Sequence, residues 1–291
     1  MKFGHHQSFY LRVNWLAKAM KMRNEDPHFF YNDFGFEKIG LGRNMVKSLR
    51  YWVIATSVME EAKDENQKPI HRLTTFGQLV FDNDRFIRLP LTAAVLHCLL
   101  ASNKDQATTW YWFFNEYGHR SSKNEDLLDA LMDWIQKHHN RTVSVNTLKR
   151  DIECLKHMYT VQAKIGDDPE EIVASPLSGL QLLYDSKELF VKRSPEAHQI
   201  ELDALYFNLL YYCNLHEVNS VTLEEILVKP MLWGKLFHLS SNQILEVLEI
   251  LHADSLYPVK FVRTNQIYNL NIVVEDAYAF LQKAYARKAA Y

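Results

Sequence analysis

The stretch LGRNMVKSLRYWVIATSVMEE, residues 41–61, constrains the fold of this chain more than any other segment. At about 100° per residue it sorts into a helix with Met45, Leu49, Trp52, Val53, Thr56 and Met59 on one side and Arg43, Lys47 and Arg50 on the other. The apolar side must be covered by other parts of the chain. The basic side carries no acid before Glu60. Cations in the first turn oppose the helix macrodipole by about 0.3 to 1 kcal/mol each, so helix stability does not account for Arg43. No acid stands four residues beyond Arg43 or Lys47 to form a supporting pair.

Amphipathic runs at helical spacing dominate the 291 residues, and only 9 Gly and 8 Pro are available for turns, which predicts a mainly α protein. Three helix-turn-helix units are expected, with small β-hairpin wings. The first runs from NWLAKAMKMRNEDPHFF, a helix ending near Pro27, through the short helix NDFGFEKIG into the basic helix. The charged turn AKDENQKP follows, and IHRLTTFGQLVF and DNDRFIRL then read as the hairpin. In a winged helix-turn-helix the second helix of the motif is the one offered to DNA, and the basic helix holds that position. The second unit lies in residues 125–159, with Asn146 as N-cap, Leu148, Ile152, Leu155 and Tyr159 facing inward, and Lys149, Arg150, Glu153 and Lys156 facing outward. The third spans residues 220–273, with Asn265-Gln266 as the wing turn. Its recognition-position helix exposes Asn242, Gln243, Glu246 and Glu249, carboxylates that oppose phosphate, so this unit is expected to pack against protein. Residues 163–179, acidic and holding two prolines, read as a linker. The expected domains are 1–120, an N-terminal winged-helix DNA-binding unit; 121–195, a central helical region with the linker; and 196–291, a C-terminal winged-helix-like unit.

The net charge of −2 excludes a polybasic nucleic-acid glue, so DNA binding must come from a local patch. Arg43 and Asn44 suit a phosphate or a base edge, and the N–H groups freed at GLGRN add an anion site. Lys47 and Arg50 are assigned to phosphates, and Lys68, His71 and Arg72 extend the set onto the wing. His6 with Arg12 forms the candidate catalytic pair, an acid–base group and a phosphate clamp in a metal-independent reaction; the alternative is a histidine held in a packed N-terminal segment. No metal-ligand pattern accompanies His5 and His6, and the cofactor stays open, a divalent metal being the candidate. His138 and His139 read as a helix C-terminal cap. ATTWYWFFNEYG, residues 107–118, is apolar nearly all round and is expected in the core, with Asn115 as a polar anchor. Cys98, Cys154 and Cys213 are far apart in apolar contexts, the pattern of buried thiols in a reducing compartment. No stretch approaches the roughly 20 apolar residues of a membrane span, and the first residues lack a signal-peptide pattern, so a cytoplasmic protein with no membrane partner is expected. Walker loops, dinucleotide fingerprints and nucleophile elbows are missing.

HQSFYLRVNWLAK, LGRNMVKSLRYWV and ATTWYWFFN together resemble the SspB-like family of bacterial single-strand DNA phosphorothioation systems. His6, Ser8, Phe9, Arg12, Trp15 and Lys18 match its first motif, and Gly42, Arg43, Asn44, Met45, Val46, Ser48, Tyr51 and Trp52 its second. Gln7 stands where the family often carries Glu, and Arg43 where it carries Lys. The resemblance implies a DNA-acting component, with nicking as its activity and Lys18 joining the DNA-binding residues. It implies DNA, a cysteine desulfurase, a sulfur-activating enzyme and an ATPase as partners. The alternative is a non-catalytic winged-helix regulator or scaffold.

Overall fold

The computed structural model describes residues 1–32, 35–138, 142–160, 174–186, 189–196, 200–264 and 267–290. His139, the Asn265-Gln266 turn and most of the expected linker, residues 163–173, lie outside these residues. The chain is mainly helical, with three small antiparallel sheets.

Helix α1 (Trp15–Glu25) stops before Pro27, a residue that cannot supply a helical N–H, and a 3-10 turn (Phe29–Tyr31) leads to α2 (Gly35–Ile39) and α3 (Arg43–Ala55). The basic helix is thus shorter than its periodicity predicts. Ser57 takes a left-handed φ of 57°, which ends the helical path, and Met59 opens strand β1 (Met59–Lys63) instead. β1 pairs with β2 (Pro69–Leu73) in the register Met59↔Leu73 and Lys63↔Pro69. The Asp64 side chain closes the turn by accepting from Asn66 N and Lys68 N, both at 2.8 Å.

The hairpin therefore sits one segment earlier than expected from residues 70–89. Residues Thr75–Asn83 form helix α4, N-capped by Thr74, whose hydroxyl accepts from Gly77 N at 3.0 Å. α5 (Pro90–Ser102) follows, starting with proline at a position where the missing N–H costs nothing. Every residue of α5 from Leu91 to Ala101 is buried, so this helix is an axis of the core. α6 (Thr108–Tyr111) runs into a π-helical turn (Trp112–Glu116). The aromatic stretch is internal, as expected, and Asn115 anchors it: its Nδ2 donates to Ala101 O and Tyr111 O, and its Oδ1 accepts from Met231 N. At the far end of the turn the buried Lys192 donates to Phe113 O (2.7 Å) and Tyr117 O (2.6 Å), satisfying carbonyls a helix end leaves free. Burial, with the Lys235 charge second, lowers this amine to about 7.

β3 (Ser121–Ser122), α7 (Asn124–His138) and α8 (Val145–Tyr159) follow, then β4 (Leu183–Asp185) and β5 (Phe190–Lys192), which join β3 in the order β3-β5-β4. α8 begins earlier than predicted because Ser144, not Asn146, supplies the cap, accepting from Thr147 N. Its inward stripe of Leu148, Ile152, Leu155 and Tyr159 is buried. Lys156, expected outward, is buried too and reaches Asp185 at 3.2 Å. The remaining elements are α9 (Leu202–His216), β6 (Ser220–Thr222), α10 (Leu223–Val228), α11 (Trp233–Leu236), α12 (Ser241–Ala253), β7 (Val259–Thr264), β8 (Ile267–Ile272) and α13 (Ala277–Ala289), with sheet order β6-β8-β7. Thr222 with Glu225 and Ser240 with Gln243 form reciprocal capping boxes at α10 and α12.

One continuous cluster of buried apolar side chains extends from Leu11 to Tyr285 and joins all three sequence segments. His97 on α5 is one of its polar nodes, bonded through Nδ1 to Tyr159 hydroxyl and through Nε2 to Leu236 O, each at 2.8 Å. The three cysteines are free and buried. Among the described residues no helix is long and apolar enough to cross a membrane.

Gly77 lets α4 lie directly against the end of the α3–β1 connection, since a Cβ there would stand 1.9 Å from Val58 O. Gly77→Ala is expected to destabilise the protein by about 3 kcal/mol through forced displacement of backbone, read as a lower urea midpoint with little change in slope.

Candidate nucleic-acid interface

The inner face of α3 is fixed by the N-terminal segment. Phe9 O accepts from Ser48 Oγ (3.1 Å) and from Trp52 Nε1 (2.9 Å), while Leu49, Trp52 and Val53 are fully buried. Gly42 caps the helix without a side-chain hydrogen bond, so its first N–H groups receive no acceptor from the cap residue. Arg43, Asn44 and Lys47 are exposed on the first two turns, and Lys18 is exposed on α1. These four cationic and amide side chains are accessible to a polyanion.

Arg50 is not bare. Its guanidinium lies 4.3 Å from the centre of the Tyr31 ring and donates through Nη2 to Glu61 Oε1 at 2.8 Å. The acid comes from β1, a contact across space that spacing along a helix does not register. This hydrogen bond is the main reason the Glu61 carboxyl titrates below its ordinary range.

Successive side chains of a strand point to opposite faces, and the register separates the hairpin residues accordingly. Glu61 pairs across the hairpin with His71, and Glu60 with Arg72. Arg72 Nε donates to Glu60 on the face away from Arg50. His71 is 0% exposed and packs beneath Phe30 and Tyr31, with ring centroids 4.8 and 5.2 Å away. Burial, with the Arg50 charge second, lowers its pKa to about 4. It is neutral at pH 7 and enclosed, so its assignment to DNA phosphate is corrected: of the three hairpin residues so assigned, Lys68 and Arg72 face solvent.

His6 occupies a second site. At 1% exposure it is walled by Trp52 and Trp110, and its Nε2 donates to Asp151 Oδ1 at 2.7 Å. The same oxygen accepts from Gly4 N, and Asp151 Oδ2 accepts from Thr109 Oγ1, both at 2.8 Å. Arg12 lies elsewhere on the segment, its guanidinium carbon 5.4 to 5.9 Å from the rings of Trp15, Phe9 and Tyr10. A general acid–base group must come within hydrogen-bond reach of its substrate, and an imidazole enclosed in this way does not. Sequence reasoning missed Asp151, although a carboxylate between Leu148 and Ile152 on an apolar stripe is itself a signal of a buried polar node. Among the described residues no group of three or more His, Cys, Asp or Glu side chains is placed to hold a metal ion.

The fold and this surface define a mainly α protein that presents a basic helix beside a two-stranded hairpin. The chain belongs to the DUF4007 family, described as proteins of unknown function, whose model matches residues 3–285. Its fold is that of SspB: an SspB crystal structure aligns over 99% of this chain and 87% of its own with a TM-score of 0.84 and 19% identity. A magnesium ion-bound SspB crystal structure aligns over the same shares with a TM-score of 0.86 and 20% identity. No curated protein matches the chain in sequence.

Because His71 falls from its ordinary 6.5 to about 4 on folding, the unfolded chain binds its proton first. Its contribution to stability is complete above pH 6.5 and is lost as pH falls toward 4. Urea midpoints of the wild type are expected to drop across this window, and those of His71→Phe to drop less.

Proposed function

We propose that this protein is a DNA-binding component of a bacterial phosphorothioation system, holding DNA through α3 and the β1–β2 hairpin. The observation that carries this reading is the exposed row of Arg43, Asn44 and Lys47 on a helix whose opposite face is locked into the core. The SspB fold supports the pathway, and the family resemblance supports a cysteine desulfurase, a sulfur-activating enzyme and an ATPase as its partners. The succession α2, α3, β1, β2 supports a winged helix-turn-helix reading of the N-terminal unit, as does β6, α10, α11, α12, β7, β8 for the C-terminal one. Glu246 and Glu249 are exposed on α12, which supports protein rather than DNA as the neighbour of that second unit.

In this proposal Lys47 and Lys18 neutralise phosphates, Arg43 and Asn44 contact phosphate or base edges at the helix start, and Lys68 and Arg72 engage the flanking backbone. His6 and Asp151 act as positioning residues that set the N-terminal segment beneath α3. Magnesium is bound in one of the SspB structures; among the described residues here no group of three or more His, Cys, Asp or Glu side chains is placed to hold a metal ion.

Phosphate contacts weaken binding uniformly across sequences when removed. Lys47→Ala is expected to lower DNA affinity and to reduce the slope of log affinity against log salt by about 1; equal slopes in both proteins would overturn the proposal. Supercoiled plasmid incubated with the protein, with and without magnesium, separates holding from cutting. Plasmid that stays closed is the expected result for a DNA-holding subunit, and open circles that persist in His6→Gln would assign nicking to other residues.

A further inference from the structure

The wing carries an acid at the one place where a phosphate would meet Arg50. The Tyr31 ring supports the guanidinium, its centre 4.3 Å from the guanidinium carbon, and Glu61 Oε1 sits 2.8 Å from Nη2. A carboxylate and a phosphate offer an arginine the same in-plane pair of acceptors. Arg50 and Glu61 are 36% and 54% exposed, so this ion pair is open to solvent and opens at small cost. Glu60 differs: it points to the other face of the hairpin and engages Arg72.

We propose that Tyr31 and Arg50 form a phosphodiester subsite which the free protein fills with its own Glu61. DNA then enters by exchange: Arg43 and Lys47 draw the backbone to α3, and a phosphate oxygen replaces Glu61 on the guanidinium while Tyr31 holds it in place. The released carboxylate turns to water. Such a self-competitor lowers affinity for any DNA that fails to present a phosphate at this point, and so favours backbone geometries that do. The inference rests on the DNA-binding reading of α3.

Fluorescence anisotropy with a labelled random-sequence duplex tests it. Glu61→Gln is expected to tighten binding about fivefold, the equivalent of about 1 kcal/mol. Glu65→Gln removes the same charge from the exposed turn of the same hairpin and is expected to change affinity less than about twofold, because only general screened repulsion is relieved. The gain from Glu61→Gln is expected to vanish in an Arg50→Ala background. If Glu61→Gln gives no gain, or one that survives Arg50→Ala, while Lys47→Ala still weakens binding, the self-competition is wrong and the interface stands. If neither Lys47→Ala nor Arg50→Ala alters affinity, the interface itself is wrong. Both carboxylates are exposed on the hairpin, so thermal melts of the Gln variants are expected to match the wild type.

Discussion

Asp151 accepts from Gly4 N, His6 Nε2 and Thr109 Oγ1, and these three bonds draw the N-terminal segment, α6 and α8 onto one buried carboxylate. Each unpaired buried donor would cost about 1–3 kcal/mol, so the three acceptances define a single arrangement of these elements. The His6 ring stacks on Trp52, and Trp52 in turn donates to Phe9 O on the same segment. α3 is thereby seated from below, and its outer face is delivered to solvent at a set angle. A histidine that looks catalytic in the sequence is thus part of the foundation of the surface above it.

That surface is less charged in space than in sequence. The hairpin returns two carboxylates toward arginines that the chain alone leaves unpaired, Glu61 to Arg50 and Glu60 to Arg72. The exposed cations of α3 lie on its first two turns. With a net charge of −2, a protein of this kind attracts a polyanion only through such a local field, which decays within about 10 Å at moderate salt.

Much of the architecture was legible from periodicity. α1, α3, α7, α8 and α12 follow their apolar stripes, the aromatic stretch is internal, and Asn115 anchors it as expected. Errors arose where local rules leave a choice open. Residues 75–83 fall within the expected hairpin, but the Thr74 cap together with the close approach of Gly77 to Val58 O makes them helix. The extent of α3 was overstated because its apolar spacing continues through Thr56 and Met59, while the left-handed Ser57 breaks the path.

The sequence by itself determined that α3 is a helix, that Leu49, Trp52 and Val53 are buried, and that Arg43, Asn44 and Lys47 are exposed, because these depend on neighbours within one or two turns. Only the tertiary structure decided the fate of Arg50, His71, Lys156 and His6. Each of them meets a partner or an enclosure supplied by a distant segment: Glu61, Phe30 with Tyr31, Asp185, and Asp151. Charge and hydrogen bonding act through space, and the distance that sets them appears only once the chain has folded.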